Sequence, residues 1–103
     1  DKKKLDLILT CGGTGFGPRD VTPEATRSLL DREAPGLASA LIAEGLKNTP
    51  LAALSRGVSG QRKSTLVVNL PGSEKAVREG MSLLSRVLPH AVEMVRGRTA
   101  GHC

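Results

Sequence analysis

Aromatic side chains are almost missing from this chain: Phe16 stands alone, with no tryptophan and no tyrosine among 103 residues. Proteins that bind single nucleic-acid strands stack bases on several such rings, and no zinc-finger spacing or RNA-recognition signature replaces them here, so nucleic acid is not an expected partner. Cysteine is nearly as scarce. Cys11 and Cys103 lie at opposite ends without C-x-x-C spacing, which argues against a disulfide framework and a zinc site and for two reduced thiols. The two histidines, His90 and His102, are isolated; His90 beside Pro89 reads as a helix-start residue, and no metal-ligand cluster exists. No apolar run approaches the roughly 20 residues of a membrane span, and the chain opens without a basic-apolar signal segment. These absences point to a soluble, cytoplasmic protein with an aliphatic core. Acidic charge is missing from residues 45–73, between Glu44 and Glu74, while Lys47, Arg56, Arg62 and Lys63 all fall inside that gap. With a formal net charge of +5, this half of the chain is expected to meet an anion, a solvated basic loop being equally open from charge alone.

Two stretches read as buried strands of a parallel sheet, Leu5 to Thr10 and Thr65 to Leu70, each nearly continuous in apolar residues. Thr22 as N-cap, Pro23 at the first helical position and Glu24 beyond them predict a helix over about 23–33, ended by Ala34-Pro35-Gly36. A second helix is expected over Leu37 to Glu44 with Gly45 as its stop, and one helical turn over Leu51 to Leu54. Ser55 to Lys63 is a weak strand or a loop. Ser73 can cap a helix whose stripe is Val77, Met81, Leu84 and Leu88, Met81 being expected in the core. Pro89 is expected to begin a last short helix that stops at Gly97. Two strands buried on both faces would leave long apolar edges that proteins pair or cover, so part of the sheet is missing from this list of elements or comes from another chain.

The stretch from Thr10 to Asp20 places Gly12, Gly13, Thr14 and Gly15 where a strand hands over to a helix. Glycines there allow positive φ and bring backbone N–H groups close to an anion beside a helix N-terminus. The loop is neither a P-loop, lacking the Lys-Ser/Thr pair, nor a dinucleotide fingerprint, whose third glycine is replaced at Pro18. Arg19 and Asp20 at its exit add a cation and a carboxylate, a set that can hold phosphate and, through Asp20, Mg²⁺. Local capping by Asp20 and a surface ion pair at Arg19 are the structural alternatives. Ser59-Gly60-Gln61-Arg62-Lys63-Ser64 offers hydroxyls and cations before the second strand, with a charge-protected edge strand as its alternative. Asn69-Leu70-Pro71-Gly72-Ser73 repeats the strand, turn, helix-start device and is predicted to share a rim with the first loop, where ligands of open α/β sheets bind. No Ser-His-Asp or Cys-His pair has a credible context, so the available chemistry is positioning and charge stabilisation.

Taken together, Asp6 to Thr10, Gly12-Gly13-Thr14-Gly15-Phe16, Pro18-Arg19-Asp20-Val21-Thr22-Pro23-Glu24-Ala25-Thr26, Arg32 to Gly36, Thr49-Pro50-Leu51, Leu54-Ser55-Arg56, Gly60-Gln61-Arg62, Thr65-Leu66 and Asn69 to Ser73 closely resemble the molybdopterin adenylyltransferases of molybdenum-cofactor biosynthesis, which include the G domain of gephyrin. The resemblance runs from residue 5 to about 96. It implies a three-layer α/β/α fold with a mostly parallel sheet, a homotrimer, and reaction of molybdopterin with Mg-ATP to adenylylated molybdopterin and pyrophosphate. By carry-over, Gly12, Gly13, Thr14 and Gly15 cradle phosphate, Asp20 is catalytic and helps hold Mg²⁺, Asn69, Pro71, Gly72 and Ser73 complete the nucleotide side, and Ser59, Gly60, Arg62 and Ser64 border the molybdopterin. A molybdenum-insertion domain or protein is an implied partner. Family members carry a further β-α-β-α portion before the strand at Leu5, so residues 1–97 read as a partial domain and 98–103 as a flexible tail. A non-catalytic, trimeric molybdopterin-binding or scaffold module, as in gephyrin, is the alternative.

Overall fold

A computed structural model describes residues 6–97. The charged lead-in Asp1 to Lys4, the strand start at Leu5, and the expected tail 98–103 with His102 and Cys103 lie outside the described residues. In chain order the elements are β1 (Leu7–Cys11), α1 (Thr22–Arg27), β2 (Arg32–Glu33), α2 (Pro35–Leu46), a 3-10 helix (Pro50–Leu54), β3 (Ser59–Arg62), β4 (Thr65–Leu70) and α3 (Glu74–Val95). None of the helices is long and apolar enough to cross a membrane, among the described residues.

The run Thr65-Leu66-Val67-Val68-Asn69-Leu70 is buried at every position, as a strand with neighbours on both edges and both faces must be. It pairs in parallel with β1, Leu7 opposite Leu66 and Cys11 opposite Leu70. On its other edge it pairs antiparallel with β3, which in turn carries β2, giving the order β1-β4-β3-β2. Leu66, Val68 and Leu70 share one face and pack with Leu84 and Leu88 of α3 as the core, joined by Leu7 and Leu9 of β1 and Leu37 and Leu41 of α2. The opposite face carries α1: the Asn69 amide donates to the Thr26 hydroxyl at 3.0 Å. Helices therefore lie on both faces of the sheet, and the expected α/β class and three-layer plan are present.

Several boundaries differ from the sequence-based expectation, each for a physical reason. Among these four strands only β1·β4 is parallel, so the sheet is mixed; β3 and β2, which periodicity did not reveal, add antiparallel pairs. They pair the β4 edge that seemed to lack a neighbour. β1 is itself an edge strand, not buried on both faces: Ile8 is 39% exposed. The first helix ends at Arg27 rather than near Glu33, because Arg32 and Glu33 pair with Gln61 and Gly60, a tertiary contact that overrides local helix propensity. Its N-cap is Val21, without a side-chain cap, and the Thr22 N–H donates instead to the Gly13 carbonyl. Pro35 does not end a helix but opens α2, where its fixed φ is preorganised and its missing N–H costs nothing. Pro89 and His90 lie inside α3, not at a helix start; both are exposed, so the carbonyl left without a donor by Pro89 faces water. Met81 is exposed rather than core, and Gly80 faces inward in its place.

Candidate functional site

Because β1 and β4 run parallel, their carboxyl ends open on one side of the sheet. The chain leaves β1 through Gly12 and Gly13, both left-handed at φ 94° and 70°, and a side chain at Gly13 would collide with the Thr22 hydroxyl. Only glycine meets both demands without strain. The Gly12 N–H donates to the Leu70 carbonyl at 2.9 Å, and a Cβ placed on Gly72 would stand 3.3 Å from the Gly12 Cα. The two turns thus touch backbone to backbone, as their positions after neighbouring strands predicted. Ser73 accepts a hydrogen bond from the Ala76 N–H at 3.1 Å and so opens the 22-residue α3, whose amino end brings unpaired N–H groups and a positive dipole end to the same place.

The outer part of the first loop is held from far along the chain by Arg56. Its backbone N–H donates to the Thr14 carbonyl at 2.7 Å, its Nε to the Gly15 carbonyl at 2.7 Å, and its Nη2 to the Asp20 carbonyl at 2.6 Å. Its Nη1 donates to the Glu24 carboxylate, and the guanidinium lies 5.5 Å from the centre of the Phe16 ring, within cation–π range. A planar five-donor group is the only side chain able to bind several carbonyls of one loop in this way. The hydrogen bond from Arg56 is the main reason that the Glu24 carboxyl titrates below its ordinary range, with the backbone N–H of Glu24 next.

Asp20 folds back into the loop it closes: its Oδ2 accepts from the Gly17 N–H at 2.9 Å. The other carboxylate oxygen has no hydrogen bond among the described residues, and Arg19 is exposed, its carbonyl accepting from the Val21 N–H at 3.1 Å and its guanidinium with neither a hydrogen bond nor an ion pair among them. No group of three or more His, Cys, Asp or Glu able to hold a metal exists among the described residues. A single carboxylate is nonetheless the donor set that suits Mg²⁺ bound mainly by substrate phosphates and water.

Asn69 is 4% exposed and fully engaged. Its Oδ1 accepts from the Val58 N–H at 3.0 Å, and its amide donates to Thr10 and Thr26 hydroxyls at 2.8 and 3.0 Å. It ties β1, β4, α1 and the Arg56–Val58 segment together beneath the loop. Above it opens a cavity of about 370 Å³, between Thr14 and Gly15 of the loop, Leu41 and Ile42 of α2, the 3-10 helix and the first turns of α3. Thr14, Gly15, Asn69, Pro71 and Ser73 all reach its wall.

The remaining expected contacts do not gather there. Ser59 is 1% exposed, its hydroxyl donating to the Ala34 carbonyl at 2.6 Å and accepting from the Ala38 N–H at 3.1 Å; it joins α2 to β3. Gly60 is buried where a side chain would strike the Arg32 carbonyl, so it permits the β2 pairing. Arg62 donates to the Leu29 carbonyl at 3.1 Å, and Ser64 is exposed in the two-residue turn between β3 and β4. That turn lies at the amino end of β4, about 17 Å of strand away from the glycine loop. Of the three segments expected to converge, two do so and the third runs away from them, because β3 is antiparallel to β4.

A glycine loop, a carboxylate and an adjoining aliphatic cavity meet at the carboxyl ends of β1 and β4. The model of a family described as "Probable molybdopterin binding domain" matches residues 1–90. The chain belongs to that family. Relatives of the chain include the molybdenum cofactor synthesis protein cinnamon of Drosophila melanogaster, 56% identical over 92% of the chain and 16% of cinnamon. The molybdopterin adenylyltransferase of Helicobacter pylori J99 is 38% identical over 94% of the chain and 55% of the enzyme. Among solved structures, the molybdopterin biosynthesis enzyme MoaB of Thermus thermophilus superposes with a TM-score of 0.83 at 62% identity, covering 90% of the chain and 58% of MoaB. The chain thus spans a little over half of the last two and a small part of the first.

Two residues of the site were not singled out by motif. Arg56 stood out only as one of four cations in an acid-free stretch and as part of the Leu54-Ser55-Arg56 match; its contacts with a loop 41 residues earlier leave no local trace. Glu79, in the cavity wall, carries a weak signal: it falls three residues after Ala76, on the inward side of an amphipathic helix.

Proposed function

We propose that residues 1–97 form part of a molybdopterin adenylyltransferase, a domain of molybdenum cofactor biosynthesis that converts molybdopterin and Mg-ATP to adenylylated molybdopterin and pyrophosphate. The observation that carries this reading is the junction of the Gly12–Asp20 loop, the Pro71–Ser73 turn and the amino end of α3 at one mouth of the cavity. In the reaction a phosphate oxygen of the pterin bonds to the α-phosphorus of ATP as the bond to the β-phosphate breaks. Both reactants are anions, so the protein's task is to align them and offset their charge; no nucleophilic side chain is required. N–H groups of Gly13, Thr14 and Gly15 and of the α3 amino end, with Gly72 and Ser73, hold phosphate, while the Gly12 N–H stays on the Leu70 carbonyl and fixes the turn. Asp20 would hold Mg²⁺, which would supply further charge neutralisation. Arg56 keeps the loop in shape rather than touching phosphate, since its donors face carbonyls and Glu24. Ser59 and Gly60 support the site from beneath, and Arg62 and Ser64, at the far end of β4, take no part in it. The working form is a cytoplasmic homotrimer that hands its product to a molybdenum-insertion domain or protein.

The test is pyrophosphate release by the full-length protein supplied with Mg-ATP, with and without molybdopterin. Release that depends on molybdopterin is the expected result. Trimer formation and molybdopterin binding with no pyrophosphate would replace this reading by the scaffold alternative.

A further inference from the structure

Arg19 is the only cation in the Gly12–Asp20 loop, and its backbone is firmly held. It sits at the corner of a turn in which the Asp20 N–H donates to the Gly17 carbonyl at 3.0 Å and the Gly17 N–H donates back to Asp20 Oδ2 at 2.9 Å. Pro18 fixes φ at the position before it. The Asp20 carboxylate fills the inside of this turn: a Cβ on Gly15 or Gly17 would stand 3.0 or 2.9 Å from the same Oδ2. Two further bonds hold the base, from the Val21 N–H to the Arg19 carbonyl at 3.1 Å and from Arg56 Nη2 to the Asp20 carbonyl at 2.6 Å. None of these bonds uses the Arg19 side chain, which is exposed. By contrast, Arg56 is spent on carbonyls and Glu24, and Arg27, at the end of α1, pairs with Glu33 at 3.5 Å. A guanidinium on a rigid mount, with no partner to displace among the described residues, is prepared for an anion from outside the chain.

We propose that Arg19 binds the β- and γ-phosphates of ATP and stabilises the pyrophosphate as it departs. The inference rests on the adenylyltransferase reading and adds to it a side chain that touches the leaving group. Thr14 and Gly15, in the inner part of the loop, reach the cavity wall, whereas residues 16–20 do not. Arg19 therefore suits the outer end of an extended anion that runs along the loop; a triphosphate is such an anion and a phosphomonoester is not. As the pterin's phosphate oxygen bonds to the α-phosphorus, the bond from that phosphorus to the α,β-bridging oxygen breaks and its electron pair stays with the pyrophosphate. A planar guanidinium can donate to two phosphate oxygens at once, and its hold strengthens as negative charge builds on the departing group.

The experiment titrates the full-length protein, in magnesium buffer, with AMP, ADP, ATP and inorganic pyrophosphate, and repeats each titration with Arg19→Gln and Arg19→Lys. Loss of hydrogen bonds between charged groups corresponds to about ten- to hundredfold weaker binding of ATP and of pyrophosphate by Arg19→Gln, with AMP unchanged and ADP between them. Arg19→Lys should recover part of the loss, since an ammonium keeps the charge without the two-donor fork. Thermal midpoints of both variants are expected at the wild-type value. Equal affinity of wild type and Arg19→Gln for ATP and pyrophosphate overturns the inference. An equal loss for AMP also overturns it, by moving the contact to a phosphomonoester. Pyrophosphate release with molybdopterin, measured alongside, separates the two levels. Wild-type turnover with polyphosphate binding indifferent to Arg19 leaves the adenylyltransferase reading standing and removes this one. Arg19-dependent binding of ATP and pyrophosphate without wild-type turnover keeps the Arg19 contact and removes the adenylyltransferase reading, and no ATP binding at all removes both.

Discussion

The chain makes the same passage twice, from a buried strand through a glycine turn into a helix, and secures it in opposite ways. The turn Pro71-Gly72-Ser73 is closed by its own neighbour, the Ser73 hydroxyl on the Ala76 N–H, at the head of a long helix that packs through Leu84 and Leu88. The turn Gly12 to Asp20 leads into only six residues of helix, too few to hold a loop by themselves. It is held by Arg56, which binds carbonyls of Gly15 and Asp20 and the carboxylate of Glu24. A locally capped turn is rigid because its helix is. A turn clamped from a distance has its Thr14, Gly15 and Asp20 carbonyls turned to the clamp. One turn is thus secured by the helix it opens and the other by a side chain far along the sequence.

Removing the clamp should have the largest effect on stability. Arg56→Ala leaves two carbonyls and Glu24 without their donor and is expected to lower unfolding free energy by about 2–3 kcal/mol, from the net value of hydrogen bonds with a charged donor. Arg56→Lys should recover only part of this, since an ammonium cannot span the same acceptors; urea unfolding measures both, and full recovery in the lysine variant would reduce Arg56 to a mere charge. Ser73→Ala removes one cap and is expected to cost about 1 kcal/mol, with the Gly12–Asp20 loop undisturbed in amide exchange. Protection lost in Gly12–Asp20 as well would show that the two turns are not independently secured.

The smallest effect belongs to Glu24. The Arg56 hydrogen bond holds its folded carboxyl below the ordinary range, so its contribution is fully present above the unfolded value and disappears as pH falls through the folded one. Glu24→Gln should therefore lower the thermal midpoint slightly at neutral pH and not at all once the pH is below the folded value. A difference from wild type that persists in acid would place the Glu24 effect outside its ionisation.

What the sequence revealed follows the range of the interactions involved. Thr65 to Leu70 and the Ser73 cap were legible because a buried run and a capping hydroxyl are local signals, and the glycine loop was legible because positive φ demands glycine at Gly12 and Gly13. The pairing of Arg32 and Glu33 with Gln61 and Gly60 joins segments far apart in the chain, each too short to show a period. That pairing displaced the end of α1 and the start of α2, while the two-residue turn at Lys63-Ser64 sets the antiparallel course of β3 that carries Arg62 and Ser64 away from the loop. Arg56 was missed for the same reason, since nothing near position 56 announces a partner at Gly15 or Asp20.

The measurement that tests the central claim most directly compares turnover with folding stability in Asp20→Asn. Asparagine keeps an acceptor for the Gly17 N–H and removes the charge proposed to hold Mg²⁺. Pyrophosphate release by full-length protein should fall by about a hundredfold or more, with the unfolding midpoint unchanged. Turnover that survives the substitution, or that falls only in step with stability, would contradict the assignment of the clamped loop as the catalytic part of the site.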